Sequence, residues 1–156
     1  MQIEYEVKDT AAGERGKGLF STQYIKQGAY IWHYNANPYN IPNVIEYTEK
    51  QTIAHLSTMP TLAAAKRFLE LTYGRGELLC LIVDSGRFIN HAAPPHCNCR
   101  TEMKTGHVYA LTDIAPGAEL FEDYATFDHP PYLYGLLEKY ECRPTYYAIP
   151  PAQQDV

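Results

Sequence analysis

The sequence predicts a mostly β protein with one helical insert, an α+β chain of short strands. Three observations point there. Brief runs rich in β-formers recur along the chain, separated by Gly, Pro and Asn. A single Ala/Leu-rich stretch, about residues 44–73, breaks that pattern. The chain has 156 residues and 46 % hydrophobic content, enough for one domain with its own core.

The elements follow in order. Residues 2–8 alternate, with Ile3, Tyr5 and Val7 opposite Glu4, Glu6 and Lys8, which predicts a half-buried strand. Thr10 to Gly18 is a Gly-containing loop, and Gly18-Leu19-Phe20-Ser21 begins a second strand. Tyr24 to Gly28 reads as a turn, with Gly28 free to take a positive φ, and Ala29–Tyr34 as a third strand. Asn35 to Asn43, with two prolines and four asparagines, is a loop. The 44–73 insert carries helical pieces interrupted by Pro60, the best at Thr61–Thr72. Glu77–Val83 reads as a buried strand and Arg87–Asn90 as short and extended. Ala92–Asn98 is a Pro-rich loop. Arg100–Lys104 and His107–Ala110 form a hairpin about Thr105-Gly106. Ile114–Gly117 turns into a last short strand at Glu119–Phe121, residues 132–140 suit a helix, and Pro144, Pro150 and Pro151 make the tail irregular.

Composition narrows the function. A net charge of −5 argues against non-specific nucleic-acid binding and suits a basic partner. The start Met-Gln-Ile-Glu-Tyr-Glu is not a signal peptide, and no apolar run approaches a membrane span. That predicts an intracellular protein, with nucleus and cytoplasm both open. Cys80, Cys97, Cys99 and Cys142 are then expected as free thiols. No Ser/His/Asp or Cys/His triad stands out.

Three segments carry the candidate chemistry. In Arg15-Gly16-Lys17-Gly18-Leu19-Phe20 the glycines suit a plain turn, or a backbone that approaches a ligand closely. Arg87-Phe88-Ile89-Asn90-His91 reads as a core strand with a polar end. Standing alone it is better read so, although an amide and main-chain groups can also match the donors and acceptors of an adenine edge. Gly117-Ala118-Glu119-Leu120-Phe121-Glu122-Asp123-Tyr124 ends in a tyrosine that alone would be read as packing.

In this order, the three resemble the motifs of SET-domain protein-lysine methyltransferases. The resemblance spans roughly residues 3–140 and implies short curved sheets of β-clip type around a helical insertion, with a C-terminal pseudoknot. The SET domain would occupy residues 1–141, with 142–156 as a tail. The implied cofactor is S-adenosyl-L-methionine. Main-chain groups of Gly16, Lys17, Gly18 and Leu19 would lie along its methionine part, and Arg87, Phe88, Asn90 and His91 about its adenine and amino-acid end. Tyr132, with Tyr134 second, would cover adenine. Tyr124 would be the catalytic tyrosine, and Tyr34, with Trp32 a lesser match, would line the lysine channel. The implied partner is a basic protein or peptide, a histone being the most familiar. Oligomeric state, target lysine and methylation degree stay open.

The chain departs from the family in two places. After Asn-His the usual Ser-Cys-x-Pro-Asn is replaced by Ala92-Ala93-Pro94-Pro95-His96-Cys97-Asn98, two residues longer, with Asn98 at the place of the second Asn. The usual aromatic two residues before the final Tyr is Glu122, which bears on the lysine channel or the number of methyls added. These changes motivate an alternative, a non-catalytic SET-like module that binds a lysine peptide or the cofactor. Cys97-Asn98-Cys99 invites a zinc module, but only Cys142 lies downstream and zinc wants four ligands, so no metal site is expected.

Overall fold

The computed structural model describes residues 1–10 and 16–142. The expected tail therefore lies outside the described residues from position 143 on, as does Arg15. β1 (Tyr5–Asp9) and β2 (Lys17–Ser21) form an antiparallel ribbon in which Tyr5 faces Ser21 and Asp9 faces Lys17. β1 is more exposed than its alternation predicts, since only Val7 is partly covered. A two-stranded ribbon has no second layer against which the other residues can pack.

β3 (Tyr30–Trp32) is short and buries Ile31 and Trp32. The stretch expected to be a helical insert is mixed. It holds β4 (Val44–Tyr47), α1 (Glu49–Ser57) and α2 (Leu62–Glu70), and it ends inside β5 (Thr72–Arg75). Thr48 starts α1 with a capping box: its hydroxyl accepts from Gln51 N–H, while the Gln51 side chain accepts from Thr48 N–H. Thr61 caps α2 through Ala64 N–H, with Pro60 in the connection. β6 (Leu78–Ile82) lies between β4 and β5 in a three-stranded antiparallel sheet.

The Arg87–Asn90 stretch is not extended throughout. Ser85–Phe88 is a 3₁₀ turn, followed by β7 (Asn90–His91). The turn forms because Asp84 accepts from Gly86 N–H, and Trp32 Nε1 donates to the same carboxylate at 2.9 Å. β8 (Cys99–Thr101) and β9 (Val108–Ala110) form the expected hairpin, with Gly106 at φ 77°. β10 (Phe121–Glu122) completes a five-stranded sheet of order β3-β9-β8-β10-β7.

β10 is parallel to both neighbours, so the C-terminal segment sits between the two strands that the 92–98 loop joins. This matches the interlocked arrangement implied by the resemblance. Asn98 holds it there: its Nδ2 donates to Glu119 O (2.8 Å) and its Oδ1 accepts from Phe121 N–H (2.9 Å). A second 3₁₀ turn (Tyr124–Thr126) leads to α3 (Pro131–Lys139), which begins with proline in its first turn.

Two cores result. One, built on Leu19, Ile31, Trp32, Val108 and Leu120, joins the sheets. The other packs Leu56, Phe68, Leu69 and Leu79 against Leu133, Leu136 and Leu137 of α3.

Candidate active site

Tyr124 occupies the end of β10 because the strand stops there. Asp123 is extended (φ −83°, ψ 101°), and its carboxylate caps the following 3₁₀ turn by accepting from Ala125 N–H. Glu122 and Tyr124 therefore project to the same side of an extended segment. Both line a cleft of about 700 Å³, counted out to its open mouth. Its walls include Trp32, Tyr73, Ile89, Val108 and Phe127, with Arg87 and Glu70 also on the lining. The aromatic side is continuous: Tyr124 stacks on Phe127 (5.1 Å between ring centroids), and Phe127 meets Tyr73 (4.9 Å). The Tyr124 hydroxyl donates to Ile89 O, the carbonyl next to Asn90.

Glu122 is only 4 % exposed. It accepts from Thr101 N–H. Burial pushes its carboxyl up to about 7, against the lowering effect of the Thr101 bonds and of nearby Arg100. Burial likewise raises the Tyr73 phenol well above its ordinary range.

Behind β10 a second group of residues converges. Asn90 Nδ2 donates to Lys17 O (3.1 Å) and to Glu119 Oε1 (2.8 Å), which ties β7 to β2. Gly18 leaves room for this pairing, since a Cβ there would stand 2.2 Å from Glu119 Oε1 and 3.2 Å from Asn90 Nδ2 and would displace the Glu119 side chain. Gly16 has φ 73° and open space where a Cβ would be. Leu19 is wholly buried in the core, so its main chain alone is left for any contact with a ligand. His91 Nδ1 lies 3.1 Å from the Tyr124 main-chain nitrogen and 3.2 Å from Glu122 O. Its ring lies 5.3 Å from that of Tyr124. Lys17 and Gly18 are thus brought to Asn90, and His91 to Tyr124, with Gly16 next along the chain.

Four other expected residues fall elsewhere or play mixed parts. Arg87 lines the cleft with Tyr124, and its guanidinium lies 4.8 Å over the Phe88 ring, which packs on the first core. Tyr34 is not among the cleft residues. Its hydroxyl donates to Glu46, lies 3.6 Å from Cys80 Sγ, and its ring sits under Arg75. It backs the cleft from behind, edge-on to Trp32 at 6.1 Å. Tyr132 packs on the second core, with burial raising its phenol. Tyr73 and Phe127 had no local signal. Tyr73 sits at the end of what reads as a helix, and only its register opposite Cys80 turns it toward the cleft.

The donor set suits S-adenosylmethionine. Both N–H donors of the Asn90 amide are used within the fold, which leaves its carbonyl oxygen for a ligand amino group. The Gly16–Lys17 turn is exposed, and the Glu119 carboxylate adds a negative neighbour for a cationic ligand. Among the described residues no group of three or more metal-ligating side chains occurs, and no helix is long and apolar enough to cross a membrane.

Comparison with known proteins gives a consistent frame. The family model described as SET domain matches residues 16–125. A Plasmodium falciparum protein described as a candidate histone methyltransferase is 18 % identical, with TM-score 0.53 over 80 % of this chain and 95 % of that one. The Neurospora SET domain protein DIM-5, a histone lysine methyltransferase, is 18 % identical, with TM-score 0.55 over 79 % of this chain and 52 % of its own. Chaetomium thermophilum Polycomb Repressive Complex 2, in an autoinhibited conformation bound to S-adenosylmethionine, is 16 % identical, with TM-score 0.59 over 89 % of this chain and 17 % of that one. No curated protein matches the sequence.

Proposed function

This chain belongs to the SET-domain family, and from that membership we propose that it is an S-adenosylmethionine-dependent protein-lysine N-methyltransferase acting on a basic protein or peptide, with histones the first substrates to try. Residues 1–141 form the catalytic unit, working in the nucleus or cytoplasm. The observation that carries the reading is the position of Tyr124. It borders the aromatic cleft and, through His91 and the Ile89 carbonyl, the Asn90–Gly18 corner.

Gly16, Lys17, Gly18, Asn90 and His91 would hold the cofactor, which supplies an electrophilic methyl group. The side chains on the cleft side then do the rest. A lysine in water has a pKa near about 10.4 and arrives as an ammonium. Trp32, Tyr73 and Phe127 exclude water and favour the neutral amine. Their faces, with that of Tyr124, also stabilise positive charge as it moves onto nitrogen. The Tyr124 hydroxyl, fixed by Ile89 O, orients the amine lone pair. Alignment of amine and methyl group supplies the largest share of the rate. Tyr73 is the second phenol of the channel, and Tyr34 supports Trp32 from behind.

The test is transfer of labelled methyl from S-adenosylmethionine to mixed histones or lysate. No transfer with cofactor binding intact would favour the second reading, a lysine-binding SET module without turnover. That reading rests on Ala92 and Ala93 after Asn-His and on Glu122 standing where the family has an aromatic.

A further inference from the structure

We propose that the Glu122 carboxylate is the proton acceptor for the substrate amine. This inference rests on the lysine-methyltransferase reading and names a residue that the phenol-lined channel does not otherwise use.

The geometry comes first. Glu122 is among the few buried polar side chains, it lines the cleft, and it projects to the same side as Tyr124 two residues on. The other acid on the lining, Glu70, is exposed. An acid held at 4 % exposure among Trp32, Tyr73, Ile89 and Val108 is costly unless it meets a cation. No Lys or Arg forms a salt bridge with it among the described residues. Arg100 is near enough to lower its pKa, but is itself exposed.

The groups that face it are known from each packed element. Thr101, Arg100 and Cys99 come from β8, Tyr73 from β5, Asp123 from its own segment, and His91 of β7 is its cross-strand partner, with Nδ1 3.2 Å from the Glu122 main-chain oxygen. Burial and Asp123 raise the carboxyl, whereas Thr101 and Arg100 lower it, and it settles at about 7. Such a group accepts and returns a proton near neutral pH.

The step balances. An N–H bond of the lysine ammonium breaks and an O–H bond forms on Glu122, leaving a neutral amine and a neutral carboxyl. Methylation restores a positive charge on nitrogen, and Glu122 then passes its proton to solvent through the cleft mouth. One proton is released per methyl transferred.

The experiment pairs kinetics with a direct probe. Labelled transfer to mixed histones is followed against pH for the wild type and for Glu122→Gln, which keeps the acceptor for Thr101 N–H. The wild-type rate is expected to level off near pH 7. The variant's rate is expected to be at least tenfold lower there, and to keep rising at higher pH, because the amine must lose its proton unaided. Calorimetry of S-adenosylmethionine should give equal affinities for both proteins.

Independently, carbon-13 carboxyl signals of labelled protein are titrated with butylammonium chloride, the Glu122 signal being the one absent from Glu122→Gln. It is expected to shift and to titrate at lower pH with the ammonium present. Methyl transfer with coincident pH profiles overturns the proton role alone, as does an unresponsive Glu122 signal. A wild-type protein that transfers no label overturns the methyltransferase reading and the proton step with it.

Discussion

The hydroxyl of Tyr124 donates to the main-chain carbonyl of Ile89, the residue immediately before Asn90. One hydrogen bond thus links the end of β10 to the start of β7, and the cleft to the corner where the cofactor would sit. Tyr124→Phe removes that bond and the phenol while keeping the ring on Phe127. Methyl transfer should fall by about 10²-fold or more. Cofactor affinity, measured by calorimetry, should change less than about twofold, and stability by about 1 kcal/mol. Full activity in the variant would mean that Tyr124 is not the orienting group.

Glu122 makes stability depend on pH. Its folded value is raised from 4.5 to about 7, so between those values the folded state binds the proton that the unfolded chain has lost. The contribution of Glu122 to stability is therefore fullest below about pH 4.5, falls as pH rises to about 7, and is level above. The loss is about 3 kcal/mol, at 1.36 kcal/mol per unit. Glu122→Gln should remove this slope and be the more stable protein at pH 8. Urea unfolding at pH 5 and pH 8 checks both statements.

Asn98 makes two hydrogen bonds to the main chain around β10, one as donor and one as acceptor. Asn98→Ala leaves Glu119 O and Phe121 N–H without that partner. A loss of about 2 kcal/mol is expected. Hydrogen exchange at the Phe121 amide should speed up more than at Leu79, which lies in the other sheet and pairs with Tyr47 and Gly74.

Two glycines should respond oppositely to alanine. At Gly74 a Cβ would stand 2.0 Å from Asp128 O, a main-chain atom that cannot swing away. Gly74→Ala should cost about 3 kcal/mol or more, and should disturb Phe127 beside it. At Gly135, in α3, nothing lies within 4 Å of the same position. Gly135→Ala should stabilise by about 0.5–1 kcal/mol. Melting temperatures of the two variants decide.

The ordered motifs were legible because each is a local stretch whose side chains act close to their own backbone. Asn90 stands beside Lys17 and Gly18, and Asn98 takes a structural place at β10. The misread elements are those where local pattern is too short to carry information. β4 and β5 have four residues each, fewer than periodicity needs, so the helices around them dominated the reading. Tyr73 was unreadable for another reason. Its role depends on register across β5 and β6, which no single segment encodes. Tyr34 looked equivalent to a channel tyrosine until Glu46 and Arg75, from two other strands, engaged its hydroxyl and ring.

The placement of β10 between β7 and β8 has a consequence for a growing chain. β10 pairs with residues about thirty and about twenty positions earlier, so these contacts close only after long stretches of chain are ordered. Glu122 and Tyr124 come at the end of that closure. A ribosome-bound chain that has exposed only its first hundred residues lacks β10, the strand that holds β7 in its sheet, and Glu119, the partner of Asn90. The cleft and the corner behind it are therefore completed together, by the arrival of one late strand.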